Sequence, residues 1–136
     1  MMSKITPEQY RKIINELELD GIAMIKLNSY IKYENLSPKM NISIKDTASY
    51  QNSDNGFVVE NKYTLTSKNK DNIIGIKIEA IYLITFKSIN EIDDDFFNVY
   101  KSISLPLNVW PFFRELVNSM TSRMSIRPLS LPLIKR

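Results

Sequence analysis

The chain has 136 residues, 43% hydrophobic and 24% charged, enough for one buried core and too few for two. It contains no cysteine and no histidine, which removes disulfides, thiol chemistry, histidine acid–base catalysis and most zinc and haem sites. Its net charge of +3 comes from 18 basic and 15 acidic residues that are interspersed, which argues against a nucleic-acid partner, because the phosphate term needs clustered Lys and Arg.

The amino end has no charged start followed by an apolar run, and no uninterrupted apolar stretch approaches the roughly 18 residues of a membrane span. A cytoplasmic protein with no membrane insertion is therefore expected. Thr6-Pro7-Glu8-Gln9 is a helix start: Thr6 can cap, Pro7 suits the first helical position and Gln9 stands where a capping-box partner belongs. Tyr10, Ile13, Ile14 and Leu17 recur at helical spacing, so a helix is predicted over about 7–18, ended by the turn signal Asp20-Gly21.

Four strands follow, over about 22–34, 40–51, 57–67 and 73–87. In the first, Ile25, Leu27, Ile31 and Tyr33 are expected on one face, with Met24 and Tyr30 on the other. Met40, Ile42 and Ile44 alternate with Asn41, Ser43 and Lys45 in the second. Asn52-Ser53-Asp54-Asn55-Gly56 reads as a hairpin turn, in which Gly56 is free to take a positive φ. Strand four is loaded on both sides: Ile74, Ile76, Ile78, Tyr82, Ile84 and Phe86 share one face, and Ile73, Ile81 and Leu83 lie on the other. A second apolar face predicts a second buried or binding surface.

Asp93-Asp94-Asp95 precedes Phe96, Phe97, Val99 and Tyr100, a short helix over about 94–102 with acids at its positive end. Without further ligands nearby, the three aspartates read as caps and no metal site is expected. A long helix is predicted over about 108–124. There Trp110, Phe113, Val117, Met120 and Met124, spaced three and four apart, form an apolar stripe that Phe112 and Leu116 widen. The spacing suits helix packing at about +20°, with the chain's own sheet on one side and a second copy's helix on the other. Pro128 and Pro132 then forbid helix, and Leu129, Leu131 and Leu133 alternate along an extended tail over 126–136.

Enzyme motifs are missing. The glycines are Gly21, Gly56 and Gly75, so there is neither a phosphate-binding loop nor a dinucleotide fingerprint, and no cofactor is implied. No histidine is present to activate a serine. Glu79 and Glu60 on neighbouring strands read as solvated surface rather than a catalytic pair. What remains informative is apolar surface, either core with an oligomer interface or a site for extended apolar segments of other chains.

The segment Leu105-Pro106-Leu107-Asn108-Val109-Trp110-Pro111-Phe112-Phe113-Arg114-Glu115, then Ser119-Met120-Thr121-Ser122-Arg123, then Pro128-Leu129-Ser130-Leu131-Pro132, resembles the carboxyl-terminal signature of SecB-type export chaperones. Pro38 to Ile44 followed by Asp46-Thr47-Ala48-Ser49 is similar to that family's second strand. The resemblance implies an α+β fold: a four-stranded antiparallel sheet with the amino-terminal helix and two carboxyl-terminal helices packed on one face. It also implies two protomers sharing an extended sheet and two such dimers joined through the long helices, at Trp110, Phe113, Val117, Met120 and Met124. Function would be ATP-independent holding of unfolded polypeptides in a groove formed by Tyr33, Leu36, Met40, Ile42, Ile44, Phe97 and Tyr100. The implied partners are unfolded clients and either SecA, in delivery of preproteins for export, or an antitoxin, in a chaperone dedicated to a toxin–antitoxin system. The export members are acidic and dock on SecA through carboxylates on the sheet; in Tyr30-Ile31-Lys32-Tyr33-Glu34 only Glu34 keeps such an acid. A structural oligomer or small-ligand scaffold is the reading from a different class.

Overall fold

Period-two alternation in four segments builds one antiparallel sheet, and two amphipathic helices close over one of its faces. The computed structural model describes residues 5–127, so the Pro-Leu tail expected over Pro128–Arg136 lies outside the described residues. In chain order the elements are α1 (Pro7–Glu16), β1 (Glu18–Ile31), a 3-10 turn at Tyr33–Asn35, β2 (Asn41–Ser53), β3 (Gly56–Lys68), β4 (Ile74–Lys87) and α2 (Asp94–Arg123). The strands lie in the order β1-β4-β3-β2. The β1–β2 connection therefore crosses from one edge of the sheet to the other.

α1 begins as a capping box. The Thr6 hydroxyl accepts from the Gln9 amide at 3.1 Å and the Gln9 side chain accepts from the Thr6 amide at 2.9 Å, satisfying two donors at a helix start. The Asp20-Gly21 signal does not end the helix. The chain enters β1 at Glu18, and Asp20 falls where the register with β4 shifts between Leu19 and Gly21. A bulge uses the same residue types as a turn, which is why composition misplaces it. A second bulge between Met24 and Lys26 inverts the expected phase of β1. Met24 and Leu27, assigned to opposite faces by alternation, stand beside Tyr82 and Ala80 on the same face.

The core lies between the helices and one face of β3 and β4. Tyr63 stacks on Phe113 at 4.8 Å between ring centres and tilts against Trp110 at 5.8 Å, while Phe86 meets Tyr100 edge-on at 5.6 Å. The two expected carboxyl-terminal helices are one. α2 runs from Asp94 through Pro106 and Pro111 without a break, capped by the Asp93 carboxylate accepting from the Phe96 amide at 2.9 Å. An internal proline costs ~3 kcal/mol, but Leu105, Val109 and Trp110 around the prolines are all buried. Three large apolar side chains at about 1.5–3 kcal/mol each outweigh that cost.

Gly56 does not take the positive φ expected of the hairpin turn. Its use is close approach, since a Cβ there would stand 1.8 Å from the Phe86 carbonyl oxygen.

Burial raises the core phenols Tyr63, Tyr82 and Tyr100 to about 12. Contributions from Tyr82 at Tyr63, from the Glu115 charge at Tyr82 and from Tyr10 at Tyr100 act in the same direction, and the Asn108 hydrogen bond opposes it at Tyr100. The unfolded chain loses these protons near pH 10 while the folded chain keeps them, so stability is full below about pH 10 and falls as pH rises toward 12. Urea unfolding between about pH 8 and 11 should show the midpoint dropping only above 10, by up to ~1.4 kcal/mol per pH unit for each tyrosine. A flat profile would mean that the phenols are solvated.

Candidate functional site

Directly opposed residues of paired strands point to the same face of a sheet. On the helix side of β4, Phe86, Ile84, Tyr82, Ala80 and Ile76 are all buried; beside them on β1 stand Leu19, Ile22, Met24, Leu27 and Ile31. Leu19, Met24 and Leu27 remain 47%, 44% and 40% exposed. The helical cover thus stops between β4 and β1. What it leaves is a row of apolar side chains along a strand of 14 residues, about 45 Å at the usual rise. Its outer edge has no partner strand among the described residues.

The row leads into the crossover. The Lys32 amide donates to the Gly75 carbonyl at 2.8 Å, and the Asn35 side-chain amide donates to the Ile74 carbonyl at 3.1 Å, fixing the connection to the start of β4. Gly75 makes room for it: an added Cβ would meet Leu36 Cδ2 at 3.0 Å, Met40 Cε at 3.1 Å and the Asn35 carbonyl at 3.2 Å. Tyr33 reaches over to α2 and donates its hydroxyl to the Met124 carbonyl. At this end of the sheet, Tyr33 and Ile42 are exposed and Leu36, Met40 and Ile44 half-buried. Five of the residues expected to form a groove therefore lie at one end of the sheet, with Tyr33 and Ile42 exposed and Leu36 and Ile44 partly packed against the core.

The other two do not. Phe97 packs at 4.6 Å on Tyr50, Tyr100 packs on Phe86, and both are buried, so neither can line a groove without being uncovered. Most of the expected interface stripe is covered in the same way. Trp110, Phe113 and Val117 are buried against the chain's own sheet, as Met124 is, with Met120 half-buried. Phe113 and Val117 have no exposed area to give to another copy, while Trp110, Met124 and half-buried Met120 keep some. The helix instead turns Ile103, Leu107 and Phe112 outward, at 57%, 69% and 51% exposed. Ile103 and Leu107, four apart on the side away from the stripe, were the sequence signal for this second face. Leu19 and Met24 were missed because the bulges of β1 disturb its alternation.

Among the described residues no group of three or more acidic side chains could hold a metal ion. Asp93 acts as a cap, and Asp94 accepts from the Tyr50 hydroxyl at 2.7 Å. Glu79 sits in an ion pair with Lys62 at 3.5 Å. Among the described residues no helix is long and apolar enough to cross a membrane.

The model of the family described as preprotein translocase subunit SecB matches residues 17–135. The chain belongs to the SecB family. Members of that family are chaperones, not enzymes. Among solved structures, the SecB-like chaperone Rv1957 of Mycobacterium tuberculosis, in complex with a ChAD peptide from the Rv1956 HigA1 antitoxin, is similar over 93% of this chain and 96% of its own. The TM-score is 0.76 at 15% identity, so the likeness is one of fold: a four-stranded antiparallel sheet with a long helix across it. A protein of unknown function from Streptococcus agalactiae is similar over 87% of this chain and 98% of its own, with a TM-score of 0.44 at 14% identity. No curated protein matches.

Proposed function

We propose that this SecB-family chaperone holds non-native polypeptides without nucleotide, laying extended apolar segments along the open row of β1 and into the crossover end at Tyr33, Leu36, Met40, Ile42 and Ile44. The observation that carries this reading is the exposure of Leu19, Met24 and Leu27 beside a β4 row that is wholly buried. Unfolded chains present alternate apolar side chains in extended form, and a strand-length apolar row with adaptable Met side chains suits them without regard to sequence. Copies would assemble as a dimer of dimers, pairing the free edge of β1 into a shared sheet and packing the outward Ile103, Leu107 and Phe112 of α2 between dimers.

An antitoxin as the dedicated client is the second reading, supported by the likeness of fold to a chaperone described with an antitoxin peptide. The basic balance of the chain suits poorly the docking on SecA that export members make through carboxylates on their own sheet, which places delivery to SecA behind it. The scaffold reading would leave the row without clients.

Aggregation of a chemically unfolded client, followed by light scattering with no nucleotide present, tests the central claim. Suppression at stoichiometric chaperone is expected. Leu27→Asp and Ile42→Asp, at exposed positions, should abolish most of it while leaving circular dichroism and assembly size unchanged. No suppression by the wild-type protein, or full suppression by both variants, would end this reading in favour of the scaffold.

A further inference from the structure

The face of the sheet away from the helices has its own pattern. Register places Lys26, Ile81, Lys62 and Thr47 in one row across it, Asn28, Glu79, Thr64 and Lys45 in the next, and Tyr30, Lys77, Thr66 and Ser43 in a third. Glu79 is neutralised by Lys62 at 3.5 Å and accepts a weak hydrogen bond from Thr64 at 3.5 Å. Lys26, Lys45 and Lys77 make no ion pair among the described residues. With strands about 4.8 Å apart and same-face residues about 6.8 Å apart along them, these three lysines mark a triangle roughly 12–16 Å on a side. Glu60 lies one row beyond, and Glu18 stands opposite Lys87 at the far end of the same face, where Lys87 is paired with Asp20 at 3.7 Å. Beside Glu60 lies a shallow depression of about 210 Å³ that it lines with Val58, Leu83, Ser49 and Gln51. That is room for one apolar side chain. Half-buried Ile81 joins it to the lysines.

From this juxtaposition we infer that the helix-free face docks an acidic segment of a partner protein, an apolar side chain entering the Val58–Leu83 depression and carboxylates settling on Lys26, Lys45 and Lys77. Charge complementarity selects an anionic partner. The acids within the pattern select a polypeptide over a polyphosphate: a nucleic-acid backbone crossing this face would meet Glu79 and Glu60, whereas a peptide can set carboxylates and apolar residues at separate points. The surface lies on the opposite side of the sheet from the client row, so both can be occupied at once. It does not depend on that row binding clients.

The probe is a fluorescein-labelled 12-residue peptide alternating Asp and Glu with Leu and Phe, followed by anisotropy at low salt. It should bind the wild-type protein, weaken at least tenfold at high salt, and weaken at least tenfold in the triple variant Lys26→Glu, Lys45→Glu, Lys77→Glu, with circular dichroism unchanged. Leu83→Ser should weaken binding with no change in salt dependence, and Leu27→Asp, on the client row, should leave it unchanged. Equal affinity in the triple variant would overturn the inference. So would tighter binding of a single-stranded oligonucleotide or of phosphatidylserine vesicles, which would make the face a nucleic-acid or a lipid surface. Loss of peptide binding in Leu27→Asp would also overturn it, because the peptide would then be a client.

Discussion

Phe113→Ala will lower the unfolding free energy by about 3–5 kcal/mol, the range for removing a large aromatic from a close-packed core. Phe113 has no exposed area, lies parallel to Tyr63 at 4.8 Å and neighbours Trp110 at 6.1 Å, so its loss leaves a cavity that the remaining rings cannot collapse to fill. Beyond the cavity, the aromatic pair itself contributes ~0.5–1.5 kcal/mol. The effect will appear in the urea midpoint of dilute protein, whatever its assembly state. A companion substitution sharpens the reading: Leu107→Ala, on the outward face, should change single-chain stability by less than about 1 kcal/mol and act only where copies associate. Wild-type stability for Phe113→Ala together with a large loss for Leu107→Ala would mean that α2 lies on the sheet the other way round.

That contrast marks the limit of what periodicity conveys. Spacing of three and four showed that Trp110, Phe113, Val117, Met120 and Met124 share a face, and they do. It carried no information about what covers that face, and the cover is β3 and β4 of the same chain. Merging of the two expected helices has a related origin. Pro106 penalises a helix locally, while the compensation comes from Tyr63 and Phe86, which are distant in sequence and invisible to a local reading.

The sheet was the more legible part. Met40, Ile42 and Ile44 stood out by clean alternation, and β3 and β4 by long runs of it. β1 resisted because its two bulges break the period of two, at Asp20 and between Met24 and Lys26. A one-residue slip exchanges every side chain between faces. Strict alternation therefore splits the open apolar row, the heart of the candidate site, between the two sides of the sheet. In the crossover half of the site, Tyr33 was read at the end of the first strand and Met40 at the start of the second, and only the resemblance to the SecB family joined them with Leu36 into a groove. The support of the crossover by Gly75 was not legible, since the close approach joins segments nearly forty residues apart.

Gly56→Ala should be the most damaging of the three glycine-to-alanine changes. The new Cβ would stand 1.8 Å from the Phe86 carbonyl oxygen, 2.9 Å from its carbon and 3.0 Å from Lys87 Cα. All three obstacles are backbone, so no rotamer change relieves the clash, and β3 must move away from β4 at the end where Gly56 pairs with Lys87. The next residue, Phe57, has no exposed area and stacks on Phe86 at 4.8 Å with Phe96 edge-on at 6.4 Å, so the movement opens an aromatic cluster as well as a ladder. Overpacking typically costs ~1–3 kcal/mol. With a rigid obstacle and the packing of Phe57 on its two neighbouring rings broken, roughly 3 kcal/mol or more is expected, enough to threaten folding of a domain whose whole margin is about 5–15 kcal/mol. Gly21→Ala is the control, because nothing lies within 4 Å of its Cβ position and its φ is not positive. There the reduced freedom of the unfolded chain should make the change neutral or stabilising by up to ~1 kcal/mol. Thermal and urea unfolding of the two variants side by side would decide the matter: equal stabilities would show that β3 and β4 do not meet at Gly56, and the stacking of Phe57 on Phe86 would fall with that contact.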